Sequence, residues 1–528
     1  MTGELTGTGK LLRLALRLDR VRLPIWIVLL AVMPAATAAQ YKKLYPTEAS
    51  LQAVSGVISN PSLVAINGPL FKVSLGALTA WKIGATELIL IGLMSVFTVI
   101  RHSRAEEEAG RLELVGAGVV GRRAPLTAAL TLAALADLAV TVFIALFLIG
   151  AGMPAGGSVA FGLAVGLTGL AFTAIAGLAA QLTETARSAH GIAFAVLGAA
   201  YVLRALGDTG PIALTWISPI GWAMRVRAYA GERWWVLALT LALIVLSLGA
   251  AYALVARRDL GAGLLRERRG PAVAPGYLGG PFGLAWRLHR GILLGWLIGL
   301  AAGGATMGGA AAGISGAVID NKQVTDMLAR LGGTGGLLNA YLAAVFGIIG
   351  LCVGGYTVQA TLRMHAEEST GRLETILATP TGRIRWALSH LVFALAGSAL
   401  ILAVTGAAAG LTYGLQIHDV GGQVPRLAGA ALVQAPAVWV LTGLGAALFG
   451  LVPRLSGLTW AGLIVCVVLL ELGAILGLNQ RIIDISPFAH VPRLPGRQLT
   501  ATPLIWLVAV GAALTAGGLT AFRRRDVA

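Results

Sequence analysis

Two short stretches are the most charge-dense acidic segments in an otherwise very apolar chain. Residues 104–122 read Arg-Ala-Glu-Glu-Glu-Ala-Gly-Arg-Leu-Glu-Leu-Val-Gly-Ala-Gly-Val-Val-Gly-Arg, and residues 365–383 read His-Ala-Glu-Glu-Ser-Thr-Gly-Arg-Leu-Glu-Thr-Ile-Leu-Ala-Thr-Pro-Thr-Gly-Arg. A shift of 261 aligns them without a gap. Glu106, Glu107, Gly110, Arg111 and Glu113 then meet Glu367, Glu368, Gly371, Arg372 and Glu374, and Gly121-Arg122 meets Gly382-Arg383. Carboxylates beside arginines can pair with each other or with a charged partner surface. General acid–base or metal chemistry would need acids and histidines converging at one place. The seven histidines show no HExxH or paired spacing, so no catalytic group and no metal site is expected. Duplication at two places fits two docking contacts better than one active site.

The elements that must position these stretches are long apolar segments. The chain has 528 residues, 57% hydrophobic and 12% charged, against about 25% charged in soluble domains. Runs of twenty or more apolar residues match the length that crosses a bilayer as a helix. Twelve spans are expected, at about 22–40, 77–100, 126–150, 158–182, 188–206, 234–256, 291–313, 341–363, 386–411, 430–452, 457–477 and 503–523. The fold class is therefore all-α and polytopic. Each elbow joins the second and third spans of one half. The net charge of +17 is parcelled into short loops, as membrane topology requires, and does not describe a nucleic-acid surface. Cys352 and Cys466 each lie in an apolar run and suggest neither a disulfide framework nor a metal site.

With the N-terminus inside, inside segments hold 26 Lys/Arg and outside segments 12. Both termini and both elbows are therefore expected in the cytoplasm. Residues 11–20 place Arg13, Arg17 and Arg20 at helical spacing opposite leucines, which reads as an amphipathic helix on the membrane surface. Ala36-Thr37-Ala38 mimics a signal-peptidase site, but the long basic lead argues against cleavage. The copies repeat beyond the elbows. Leu14–Arg20 matches Leu284–Arg290, Ile217-Ser218-Pro219 matches Ile485-Ser486-Pro487, and Arg257-Arg258-Asp259 matches Arg524-Arg525-Asp526. Six spans per copy give a parallel repeat: residues 1–260, a linker at 261–283, and residues 284–528.

Within the spans, Glu87, Asp137 and Glu471 are costly in lipid and are expected to face an interior. Glu87 and Asp137 are candidates for a polar patch on a substrate path, with an interhelical hydrogen bond as the plainer reading. Gly291, Gly295, Gly299 and Gly303 form a four-residue ladder suited to close helix packing. Gly110 and Gly371 can end helices by adopting positive φ. Acids before them oppose the helix dipole and need cationic partners such as Arg111 and Arg372. Pro380 in the second elbow, facing Val119 in the first, is expected to stiffen it.

An amphipathic helix, two spans joined by Glu-Glu-x-x-Gly-Arg-Leu-Glu, and Ile-Ser-Pro before the sixth span together resemble the permease of an ABC-2-type exporter over essentially the whole chain. The fused double form is similar to actinobacterial exporters of polyketide antibiotics such as tetronasin and to multidrug efflux permeases. The resemblance implies a plasma-membrane protein of a bacterium that exports hydrophobic or amphipathic small molecules. It also implies a coupling helix in each elbow, carried by Glu106, Glu107, Gly110, Arg111 and Glu113 and by Glu367, Glu368, Gly371, Arg372 and Glu374. Two copies of an ABC ATPase would dock there, holding the ATP and Mg. Short re-entrant helices before each sixth span would form an outer gate.

The chain has no Gly-x-x-x-x-Gly-Lys-Ser/Thr. Gly7-Thr8-Gly9-Lys10 fails the pattern at Glu4 and Leu11, so this chain is expected to bind no cofactor and to be no enzyme itself. The alternative function is an ion- or proton-coupled secondary transporter, which would need a relay of intramembrane carboxylates. A membrane enzyme acting on lipid-linked substrates is a third reading, and it would need acids clustered at one face.

Overall fold

The structure, a computed structural model, describes residues 3–48, 50–52, 61–116, 118–258, 261, 263–264, 273, 275–319, 334–472, 479–496 and 498–526. These residues form helices and no strand, with twelve helices long and apolar enough to cross a membrane. Helices are the natural outcome here, because a span in hydrocarbon must satisfy its backbone groups internally. The chain divides into two compact units, Met1–Gly270 and Pro271–Ala528.

In the first unit, α1 (Thr8–Leu18) precedes the spans α2 (Arg22–Leu44) and α3 (Leu75–Arg101). The elbow follows as α4 (Arg104–Glu108) and α5 (Arg111–Gly116). The spans α6 (Ala124–Gly150), α7 (Ala155–Leu182) and α8 (Ala186–Thr209) come next. Two short helices, α9 (Ala213–Ile217) and α10 (Pro219–Arg225), then lead to the sixth span, α11 (Leu237–Arg257). Ser74 and Thr185 cap α3 and α8 by accepting from Ala77 and Ser188 N–H. The core gathers buried residues of α3, α6 and α7, including Val99, Leu132, Val140, Val165 and Phe172.

In the second unit, α12 (Pro281–Ile319) is one continuous 39-residue helix. The segment Leu284–Arg290, the copy of the first unit's amphipathic stretch, is here continuous with the span, whereas the first copy breaks at Asp19–Val21. Next come α13 (Thr334–Ser369), the elbow helix α14 (Arg372–Leu377) and α15 (Arg383–Ile417). The fourth span begins earlier than hydropathy suggests, at Val420. It is built as α16 (Val420–Leu432) and α17 (Ala435–Leu451) with a break at Val433–Gln434. Asp419 starts it by capping Gly422 N–H. A short α18 (Leu458–Val467) and the sixth span α19 (Ala501–Arg524) complete the unit.

The glycine ladder of α12 is corrected by the structure. Among the described residues, a Cβ at Gly291, Gly295, Gly299 or Gly303 would meet nothing within 4 Å. The tight contact lies one residue further round the helix. A Cβ at Gly304 would sit 2.3 Å from the Thr405 carbonyl oxygen, and one at Gly308 2.1 Å from that of Ala409. α12 and α15 therefore approach backbone to backbone at Gly304 and Gly308.

Candidate functional site: two ion-paired elbows

Both elbows turn on glycine. Gly110 has φ +70° and Gly371 φ +72°, with open space around each, so backbone conformation alone requires glycine there. The amide of Gly110 donates to the Glu107 carbonyl at 3.0 Å, and that of Gly371 to the Glu368 carbonyl at 2.9 Å. The copies differ before the turn. α3 ends at Arg101 and restarts as α4, while α13 runs unbroken through Glu367 and Glu368.

The acids divide into two sets. Glu106 accepts two bonds from Arg111, at 2.6 and 2.7 Å. Its counterpart Glu367 takes Arg372 at 3.2 Å and Arg363 at 3.0 Å. The second set reaches across the fold. Glu107 is gripped by both terminal nitrogens of Arg258, at 2.7 and 2.8 Å. It also takes Arg104 at 2.8 Å and Gly261 N–H at 2.7 Å. Glu368 is gripped in the same two-pronged way by Arg525, at 2.6 and 2.7 Å. Arg258 and Arg525 are the central residues of the Arg-Arg-Asp repeats after each sixth span. The backbone carbonyls of those arginines in turn accept from Arg122 and Arg383, the last residues of the aligned elbows. Arg525 also stacks over Phe449 and Phe522.

Glu107, Glu367 and Glu368 turn inward onto arginines of their own unit, with side chains 4–7% exposed. Arg111, Glu113, Arg372 and Glu374 are exposed. Leu373 of α14 is fully buried against Trp386, Phe449 and Phe522, which holds that elbow helix on its own unit. The Arg111 guanidinium bonded to Glu106 holds that carboxyl below its ordinary range. Burial would raise Glu107, but bonds from Arg258 and the Gly261 amide outweigh it and the carboxyl is lowered. Both groups thus add stability that is present above the ordinary carboxylate range and is lost as pH falls through their lowered values.

The first elbow is also braced by the N-terminus. Gly121 and Arg123 amides donate to the carbonyls of Thr6 and Glu4, at 2.9 and 3.0 Å. Asp19, just after α1, is buried and bonds His102 Nε2 at 2.7 Å. The amphipathic helix, read from the sequence as a surface element, is therefore also tied to the start of the elbow, with Leu14, Leu16 and Leu18 exposed.

Asp137 and Glu87 are both fully buried. Asp137 accepts from Ser95 and Thr173 hydroxyls, each at 2.9 Å, and so ties α3, α6 and α7 together. That is the plainer of its two readings. Among the described residues, neither oxygen of Glu87 has a hydrogen-bond partner. The side chain of Glu471 lies outside the described residues. Sequence reasoning missed a cavity of about 460 Å³ in the second unit, lined by Ala343, Gly347, Gln434, Phe488 and Arg493 among others. Its volume is in the range of drug-sized sites. Neither Glu87 nor Asp137 lines it.

Comparison with known proteins decides the family. The chain is 48% identical over 525 residues to the multidrug efflux system permease protein Rv1217c of Mycobacterium tuberculosis (strain ATCC 25618 / H37Rv), covering 99% of this chain and 95% of the relative. This chain belongs to that family of efflux permeases. Residues 278–523 also match the family described as the C-terminal domain of the multidrug efflux system permease Rv1217c. The permease is thus a multi-pass membrane protein, and the matched domain takes in the second elbow and the sixth span beyond it.

Proposed function

We propose that this permease is the membrane subunit of an ATP-binding-cassette exporter that moves hydrophobic or amphipathic small molecules out of a bacterial cell. Two copies of a separate ATPase subunit dock on its two elbows, hold ATP and Mg, and supply the energy. The carrying observation is the duplicated elbow. In each copy a glycine-turned helix is clasped to its own unit from behind and leaves an arginine and a glutamate exposed: Arg111 with Glu113, and Arg372 with Glu374. A rigid, charged, outward-facing pair on each unit suits docking to two identical partners. The relative's description as a multidrug efflux permease supports small-molecule export. The cavity at Gln434 and Phe488, lined by both apolar and polar side chains, has the volume of a small-molecule site. With both termini inside, the elbows face the cytoplasm, where ATP is available.

The test is ATP-driven accumulation of ethidium in inside-out vesicles carrying the permease and its ATPase. Accumulation that needs ATP, stops with orthovanadate and survives a protonophore supports the proposal. Accumulation that needs a proton gradient and ignores ATP depletion refutes it in favour of a secondary transporter.

A further inference from the structure

The two ends of the elbow and the end of the sixth span meet at one residue in each unit. The end leaving the second span reaches it through Glu107 or Glu368. The end entering the third span reaches it through Arg122 or Arg383. The residue they meet is Arg258, whose side chain holds Glu107 while its carbonyl receives Arg122. In the second unit it is Arg525, holding Glu368 and receiving Arg383. The contacts join residues 151 and 157 apart in the chain. The same construction thus arises twice although the repeat offset has drifted from 261 in the elbow to 267 at the arginine.

We propose that Arg258 and Arg525 are positioning residues of the transport cycle: each locks its elbow to the sixth span, so that displacement of the elbow is passed to that span as well as to the two it connects covalently. The proposal rests on the reading that the elbows receive the ATPase stroke. A two-pronged arginine–carboxylate pair suits this role because it fixes orientation as well as distance, which a lysine's single ammonium does not. Low exposure strengthens it: the side chains of Arg525 and Glu368 are 19% and 7% exposed. A helix then carries the motion onward. α11 and α19 run 21 and 24 residues from these arginines, about 30–36 Å at 1.5 Å per residue. Their far ends follow the segments that begin at Ser218-Pro219 and Ser486-Pro487. Without the side-chain clasp the second elbow would still reach the sixth span through Arg383, which donates to the backbone carbonyls of Arg523 and Arg525, and through Leu373 in the cluster with Phe522, but the link from the second span's end through Glu368 would be lost.

The experiment uses the full permease with its ATPase in inside-out vesicles and reads ATP hydrolysed per ethidium accumulated, together with ATPase retention and thermal unfolding. Arg525→Glu is expected to retain the ATPase and its hydrolysis while raising the ATP used per ethidium by about tenfold, within the range of measured couplings between sites. Arg525→Lys should give an intermediate value. The exchanged pair Glu368→Arg with Arg525→Glu should recover most of the coupling, since it restores opposite charges at the same place. An unchanged ratio in Arg525→Glu overturns the proposal. So does a loss of transport that follows the folded fraction alone, or one that the exchanged pair fails to recover. Loss of the ATPase from Arg525→Glu would make this arginine part of the docking surface, which also overturns it. Failure of the unsubstituted permease to retain an ATPase is a separate result and overturns the exporter assembly itself.

Discussion

Replacing Gly308 by alanine tests how the second unit is held together. An ideal Cβ at Gly308 lies 2.1 Å from the Ala409 carbonyl oxygen and 2.5 Å from Thr412 Oγ1. Carbon needs more than 3 Å from oxygen, so α12 and α15 must part by about 1 Å, enough to forfeit a quarter to a half of each dispersion contact along the crossing. The Thr412 hydroxyl, which donates to the Ala305 carbonyl across the same crossing at 2.7 Å, loses a bond with a net value of about 1 kcal/mol. Alanine's better helix propensity returns about 1 kcal/mol. Overpacking typically costs about 1–3 kcal/mol, so the net expectation is a destabilisation of about 1–3 kcal/mol. Gly299→Ala is the control. Its Cβ meets nothing within 4 Å, so only the propensity gain of up to about 1 kcal/mol remains. Thermal unfolding in detergent, followed by tryptophan fluorescence, should show opposite shifts of about 1–2 °C per kcal/mol. A Gly308→Ala protein as stable as the unsubstituted one, or a Gly299→Ala protein equally weakened, would refute the assignment of the close contact.

Three further outcomes are expected. Arg111→Ala removes a largely exposed pair with Glu106, so unfolding should shift by less than about 1 kcal/mol while retention of the ATPase falls; unaltered retention would remove Arg111 from the docking surface. Asp137→Asn keeps volume and an acceptor for Ser95 or Thr173, so ATP-driven ethidium accumulation should stay within about twofold and stability within about 1–2 kcal/mol. A loss near tenfold would give Asp137 a role beyond tying three helices. In a background lacking Cys352 and Cys466, Val119→Cys should be labelled only from the cytoplasmic side and Ile485→Cys only from outside; both positions are 70% exposed, and the reverse pattern would invert the topology.

Much of the fold was legible because a bilayer simplifies the physics. Span length and hydropathy follow from the thickness of hydrocarbon and the need to pair every backbone group within the helix. Twelve spans are accordingly readable without contacts. The break at Val433–Gln434 and the merging of the second amphipathic segment into α12 were not, because helix continuity there depends on packing rather than on local apolar content. The glycine ladder shows the limit of periodicity. Spacing of four marks two possible faces of one helix, 291 to 303 and 304 to 308, and nothing in α12 alone says which of them meets α15.

The elbows show the same division most sharply. The sequence by itself determined that two acidic, glycine-turned stretches are copies and that an Arg-Arg-Asp motif follows each sixth span, since identity between copies needs no coordinates. Local pairs such as Glu106 with Arg111 were also within reach, being five residues apart across a turn. Only the tertiary structure decided that Glu107 and Glu368 belong to Arg258 and Arg525. A carboxylate has no preference encoded in sequence for one arginine over another 151 or 157 residues away. The choice is made when the helices between them pack and bring the start of the elbow and the end of the sixth span to the same place.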